Sequence, residues 1–410
     1  MPRMTADELE RKALRIQAVV EEHTLQAHGM VPMFVRATDY QFPTAENYRG
    51  MAPHRALKGK TEAELGLPPM HVWRAWENTS ANTGYYLGAS SYRYRCTRDP
   101  DVLAICRRTL AALKHIYDMG AEFDEPGFLT KPYGGVATTQ ASGDQLQCVT
   151  VGLAAYRHIA GPEDTRTIDE MFTGFADYEI RQGYWPKPGG YFGHTFDPDG
   201  WDWTKGEWEH GVIYAPVLYH AWLATGEPRY LDEIRRWYRA CENETKWLGG
   251  VGGSAWSAPA RMLYLPSLLM ELDPWHRDRW RRFMANAFAV TKDAVLPDGT
   301  AYSSSKRDPR TGKHIPVDRG WGGGPTRTGR SAAFGWGCVN AQRWLPGEDL
   351  VGVARIILEQ LDLDTFRFIM PLDPAHELPP DWRIEGELLD HDSLVSWLWM
   401  YWEGRFRGYW

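Results

Sequence analysis

The chain has 410 residues, of which 43% are hydrophobic and 24% charged, a balance that excludes a largely disordered polypeptide. Its net charge of −7, from 46 basic and 53 acidic residues with no dense Lys/Arg cluster, excludes a nucleic-acid reader, because phosphate binding needs a concentrated basic face. No apolar run approaches the length of a membrane span, and 20 Trp, 20 Tyr and 14 Phe are the compositional excess that needs a physical reason.

The first predicted element, over residues 7–22, is a charged helix without the apolar core of a signal peptide, so the expected location is the cytoplasm. The next stretch, 80–96, is followed by the turn Thr97-Arg98-Asp99-Pro100 and by 101–119. In that second stretch Leu103, Cys106, Leu110, Leu113 and Tyr117 share one helical face before Gly120. This pattern of two helices about a Pro-containing turn recurs. Residues 142–160 and 167–181 flank Gly161-Pro162-Glu163-Asp164, and 207–224 and 230–245 flank Thr225-Gly226-Glu227-Pro228. Residues 257–271 and 275–291 flank Leu272-Asp273-Pro274, and 330–344 and 349–361 flank Leu345-Pro346-Gly347-Glu348. Each turn is expected to place Pro at or near the start of the second helix, where its missing N–H costs nothing. A last helix is predicted over 390–402.

If the first and last helices pair, the chain forms six hairpins and closes on itself. The expected fold is therefore all-α, an (α/α)6 toroid occupying residues 1–410 as one domain. First members of the hairpins carry small residues, such as Gly84, Gly88 and Ala89, or Gly152, Ala154 and Ala155. Second members carry charged stripes, such as Arg107 and Arg108, or Arg235 and Arg236. Small residues let helices crowd around an axis, so first members are expected inside. An open helical solenoid is the rival, and it would show no such contrast. The five scattered cysteines, Cys96, Cys106, Cys148, Cys241 and Cys338, form no C-x-x-C pair and are expected as reduced thiols, with neither metal nor cofactor.

The connections between hairpins, 120–141, 183–206, 246–256, 292–329 and 362–388, are long and all enter the N-terminal ends of inner helices. They gather on one face as a funnel. Trp201 and Trp203 lie in the aromatic-rich 183–208 stretch, and Trp73 and Trp76 precede the second helix; ring faces with polar neighbours suit sugars, although part of the excess is expected to plug the barrel. Polar groups converge on the same ends: Glu77, Asn78 and Asn82; Ser142, Asp144 and Gln145; Glu207, Glu209 and His210; Arg261; Arg327 and Arg330; Asp390, His391 and Asp392. Carboxylates with His and Arg are what acid/base chemistry on a glycosidic bond requires. A purely structural account makes Ser142 and Asp390 helix caps with acidic first turns. The arginines and six helix N-termini favour an anionic ligand, which points to a uronic-acid sugar.

Trp76-Glu77-Asn78 leading into Thr83-Gly84-Tyr85-Tyr86, the turn Thr97-Arg98-Asp99-Pro100, and Ser142-Gly143-Asp144-Gln145 together resemble the six-hairpin glycosidase superfamily over essentially the whole chain. The resemblance is to unsaturated glucuronyl hydrolases, exo-acting glucuronidases and toroid polysaccharide lyases. It implies an inner-helix Asp that protonates the sugar double bond and helps activate water, with Asp144 the nearest counterpart. The surrounding residues depart from the family's own Asp motifs, which leaves ordinary uronoside hydrolysis open. In the lyases of this fold, an Arg or amide neutralises the uronate and a Tyr or His removes a proton; Asn82, His194, His210, Tyr214 and Arg261 are the counterparts.

The expected function is a glycoside hydrolase acting on uronic-acid-containing oligosaccharides. A lyase is the alternative, and a sugar epimerase or a non-catalytic carbohydrate-binding toroid follows. Expected catalytic residues are Asp144, His210, Glu209 and Glu77. Expected substrate contacts are Trp76, Asn78, Asn82, Gln145, His194, Trp201, Trp203, Tyr214, Arg261, Arg327, Arg330 and His391. The expected partner is an anionic oligosaccharide, with no nucleic acid and no membrane.

Overall fold

The computed structural model describes residues 3–25, 27–49, 69, 72, 75–184, 208–240, 258–292, 295–300, 304–307, 314–317, 325–368, 383–384 and 387–410. Helix α1 (Ala6–Val19) opens with a reciprocal cap, in which the Thr5 hydroxyl accepts from the Glu8 amide and the Glu8 carboxylate accepts from the Thr5 amide at 2.7 Å. Hairpins follow as α2 (Thr79–Thr97) with α3 (Pro100–Met119), α4 (Gly143–Arg157) with α5 (Pro162–Gln182), and α6 (Trp208–Thr225) with α7 (Pro228–Ala240). Then come α8 (Ala258–Leu272) with α9 (Arg277–Thr291), α10 (Pro325–Ala341) with α11 (Leu350–Gln360), and the final α12 (His391–Phe406).

Packing between neighbours closes a ring. Helix α2 lies against α4, α4 against α6, α6 against α8, α8 against α10, α10 against α12, and α12 returns to α2. These are the first members, and α1 packs on α12 to complete the sixth hairpin. The fold is the all-α (α/α)6 toroid expected, with the small-residue helices inside. All side chains from Thr79 to Tyr92 are buried in α2, whereas α3 buries one stripe, including Val102, Cys106, Leu110 and Leu113. Crowding is closest between α2 and α4, where a Cβ on Gly152 would stand 2.1 Å from the Gly84 carbonyl oxygen. No side chain larger than hydrogen fits that crossing.

Turn chemistry follows the sequence at most hairpins. Arg98 adopts φ 56°, Asp99 caps α3 and Pro100 takes its first position; Pro162 and Pro228 likewise open α5 and α7. Two turns differ. Pro274 begins a short 3-10 turn ahead of α9, and Pro346 precedes Asp349, whose side chain caps α11 by accepting from Gly352 N at 2.8 Å. Side-chain capping is available from Asp but not from Pro, and that sets the start of α11. Helix α10 begins at Pro325, ahead of the expected Arg330.

The inner helices meet over an aromatic core. Trp336 of α10 lies 4.4 Å from Tyr264 of α8 and 4.1 Å from Trp399 of α12, centroid to centroid, and the Tyr85 and Tyr264 hydroxyls are 3.0 Å apart. Beyond them the buried Glu403 carboxylate accepts from Trp336 Nε1 at 2.8 Å, Trp399 Nε1 at 3.0 Å, Asn340 Nδ2 at 2.7 Å and Arg407 Nη2 at 2.6 Å. Burying a carboxylate is costly unless its lone pairs are occupied, and here donors from four residues occupy them. These rings plug the barrel about two helical turns below the N-terminal ends of α2 and α12.

Short strands were not expected from the sequence. An antiparallel sheet of order β1–β7–β5 joins Phe34–Arg36, Leu388–Asp390 and Arg367–Phe368, with Phe34 opposite Asp390. Tyr48–Arg49 (β2) pairs with Arg383–Ile384 (β6), and Ser304–Arg307 (β3) with His314–Val317 (β4). Connections crossing a ring end must satisfy their backbone groups with one another, and strands of two to four residues are too short to show alternation in sequence. No helix among the described residues is long and apolar enough to cross a membrane.

Candidate active site

The funnel end is built from the first turns of inner helices and the last turns of outer ones. At the start of α4, Ser142 makes no side-chain cap; its hydroxyl donates instead to Asp144 Oδ1. The plain capping role is therefore not what Ser142 plays. Asp144 keeps partial exposure in the first helical turn, where the helix dipole favours a negative charge.

Beside it, Gln145 is buried and reaches across to α2. Its Nε2 donates to the Glu77 carbonyl oxygen at 2.5 Å and lies 3.5 Å from Asn78 Oδ1. Asn78 Nδ2 in turn donates to Asp392 Oδ2 at 3.0 Å. Hydrogen bonds thus link the entrances of α4, α2 and α12, three neighbours in the ring. Asp390 does cap α12, accepting from the Asp392 amide at 3.2 Å and from the Ser393 hydroxyl at 2.5 Å. Burial raises its pKa well above the ordinary range, and the negative Asp392 adds to the rise.

Lys131 supplies a cation beneath this network. Its side chain is 1% exposed and its Nζ is 3.4 Å from Glu77 Oε1. The loop carrying it is pinned: Lys131 N donates to Gln140 O at 2.8 Å, Thr138 Oγ1 to Lys131 O at 2.7 Å, and Thr130 Oγ1 to Thr138 O at 2.5 Å. A fixed, buried ammonium beside a carboxylate can orient an anionic group with little loss of side-chain entropy.

On the α5–α6 side, Tyr214 is 4% exposed, and its pKa is raised by burial and then by the Glu179 carboxyl. Its ring lies 5.2 Å from that of Tyr184, whose hydroxyl donates to Glu233 Oε2 at 3.0 Å. Gly183 and Tyr184 are both left-handed, with φ 66° and 63°; the non-glycine is held there by Tyr184 N donating to Glu179 O at 2.7 Å. Burial alone pushes the Glu179 carboxyl up to about 8.

Three expected sugar contacts have other partners. Segment 30–42 covers them: Trp76 is stacked on Phe42 at 5.0 Å, while Asn82 Nδ2 at 2.9 Å and His391 Nδ1 at 2.8 Å both donate to the Pro32 carbonyl. Asn82 and His391 are 1% and 0% exposed, so in this structure they hold a connection in place rather than face the funnel. Burial lowers the His391 pKa to about 4, which keeps the ring neutral near pH 7. Sequence reading had not counted residues 23–79 among the long connections, and so missed the cover.

Glu209 and His210 fall in the first turn of α6, Arg261 in that of α8, and Arg327 and Arg330 in the first turns of α10. Their positions are at the ring end expected; their side chains lie outside the described residues, as do His194, Trp201 and Trp203 entirely. Glu77, Asn78, Asp144 and Gln145 are brought together. Lys131 and Glu179 were missed. Lys131 lies in a Pro/Gly-rich connection where nothing marks it. Glu179, however, continues the buried stripe Ile168, Phe172 and Phe175 of α5, a registration legible in sequence.

No known protein-family profile matches the chain. No curated protein matches it either. Among solved structures, an unsaturated glucuronyl hydrolase specific for heparin superposes with a TM-score of 0.55 at 12% identity, covering 98% of this chain and 99% of its own. A possible GH105-family member from Klebsiella pneumoniae gives 0.53 at 14% identity, covering 100% and 96%. A D-mannose isomerase gives 0.52 at 12% identity, covering 98% and 97%. At these identities the likeness shows the fold alone, the (α/α)6 toroid.

Proposed function

We propose that the chain, folded as one domain over residues 1–410, is a glycoside hydrolase acting on uronic-acid-containing oligosaccharides. The observation that carries this reading is the hydrogen-bonded arc Gln145–Asn78–Asp392, which runs from beside Asp144 across three inner-helix entrances with the Lys131–Glu77 pair next to it. Carboxylates at such an arc serve proton transfer at a glycosidic bond, and Asp144 is the one that exchanges a proton at the reacting sugar. Lys131, together with the arginines of α8 and α10, accounts for an anionic substrate. The folds of the structural neighbours support a carbohydrate-active enzyme, and the uronate preference of one of them agrees with this charge.

β-Elimination is less well served. Tyr214, the tyrosine available as base, has its pKa raised by burial, which makes its hydroxyl harder to deprotonate. The test is a panel of saturated and unsaturated uronate oligosaccharides followed at the absorbance of the unsaturated uronate. Released reducing sugar without a rise in absorbance is expected. Asp144→Asn is expected to lower kcat/KM by about 10²–10⁴-fold with unchanged thermal unfolding. Undiminished turnover by that variant would remove Asp144 from the reaction.

A further inference from the structure

Next to the α4 end of the Gln145–Asn78–Asp392 arc, outer helix α5 carries a carboxyl with a buried oxygen that the scaffold does not use. Glu179 is 9% exposed, and its Oε2 is buried with no hydrogen-bond partner among the described residues. By contrast, Glu403 accepts from four residues, and Asp390 from the Asp392 amide and the Ser393 hydroxyl. A buried carboxyl oxygen left without a donor in a native structure calls for a reason, and a group that acts on a ligand is one. Its location fits. Glu179 sits in the last turn of outer helix α5, at the ring end where the inner helices begin, and its carboxyl is among the causes that raise the Tyr214 and Tyr184 pKa values. Tyr214 stands on α6, the inner helix packed against α5, and Asp144 also contributes to the rise of its pKa.

We infer that Glu179 is the proton donor of the site, protonating the leaving-group oxygen of the glycoside while Asp144 takes a proton from the attacking water. The inference rests on the hydrolase reading and deepens it, by moving proton donation away from Asp144. Water's oxygen bonds to the anomeric carbon as the bond from that carbon to the leaving oxygen breaks. The leaving oxygen receives the Glu179 proton, and Asp144 holds the proton lost by water. Return of that proton to Glu179, directly or through solvent, resets the site. The division of labour has a physical basis. A helix N-terminus favours the charged form at Asp144, whereas burial at a helix C-terminus favours the neutral, proton-bearing form at Glu179.

The experiment compares two substrates with the same uronosyl group, one with a nitrophenol leaving group and one with a sugar hydroxyl. A nitrophenolate departs without protonation; a sugar alkoxide does not. Glu179→Gln is expected to lower kcat/KM on the sugar-linked substrate by about 10²–10⁴-fold and on the nitrophenyl substrate by less than about tenfold. Glu179→Asp, which keeps an acid one methylene short, is expected to recover part of the loss. Retained nitrophenyl turnover also shows that the variant is folded. Equal losses on both substrates while the wild type hydrolyses them would overturn the donor role alone. Failure of the wild type to release either leaving group would overturn the hydrolase reading, and the donor role with it.

Discussion

Single residues in this toroid differ sharply in how their charge is managed. His220 of α6 is 4% exposed, stacked on Phe172 at 4.2 Å, with both ring nitrogens unpaired among the described residues, and burial lowers its pKa to about 3. A folded pKa below the unfolded one means that the unfolded chain takes up the proton first. Stability from this residue is therefore present above about pH 6.5 and lost as pH falls below it. Glu179 has the opposite sign. Its folded pKa of about 8 lies above the ordinary 4.5, so its contribution is complete below pH 4.5 and is lost as pH rises toward 8. Melting temperatures measured between pH 5 and 8 are expected to fall less steeply with pH for Glu179→Gln than for the wild type. An unchanged slope would mean that the carboxyl is ionised in the folded protein. The legibility of these residues follows from their setting. Asp144 was readable because it stands at a helix entrance among polar neighbours, while Glu179, although in register with the buried stripe of α5, was passed over because a carboxylate on a charged outer helix is usually solvated.

At the scale of elements, the crossing of α2 and α4 depends on two glycines, each facing the backbone of the other helix. A Cβ at Gly84 would lie 2.6 Å from the Cys148 carbonyl oxygen, and one at Gly152 closer still to Gly84. Backbone cannot swing aside as a side chain does. Gly152→Ala is expected to destabilise by about 1–3 kcal/mol in chemical denaturation, whereas Gly347→Ala, with nothing within 4 Å, should change stability by less than about 0.5 kcal/mol. Equal effects would show that α2 and α4 do not approach as described. The outer helices were legible because each kept a 3.6-residue period, and the inner ones because small residues filled their middles and turns marked by Pro or Gly bounded them. The small sheets were not, since Phe34–Arg36 and Leu388–Asp390 find each other across most of the chain, a pairing to which no local pattern corresponds. The same segment places Pro32 over Asn82 and His391, which explains why two polar residues at the correct ring end do not face the funnel.

For the whole molecule, closure of the ring depends on its first helix. Lys12 of α1 is buried and donates from Nζ to the Leu358 carbonyl at 2.8 Å and the Glu359 carbonyl at 3.1 Å, at the end of α11, with its ammonium 5.3 Å from the centroid of Trp397. An ammonium there satisfies carbonyls that a helix C-terminus leaves unpaired. Lys12→Met keeps the packing on Trp397 but removes both bonds, and is expected to cost about 1–3 kcal/mol by thermal or denaturant unfolding. An unchanged midpoint would make the contact incidental. A closed ring in turn gives the funnel a floor of aromatic rings and a rim of helix entrances, and the proposed chemistry belongs to that rim. Its most direct test is to run the reaction on a uronate oligosaccharide in heavy-oxygen water and weigh the products. One heavy oxygen at the new reducing end for each bond cleaved is the result expected of hydrolysis. Cleavage without heavy oxygen, accompanied by an unsaturated uronate at the new non-reducing end, would contradict it and identify an elimination.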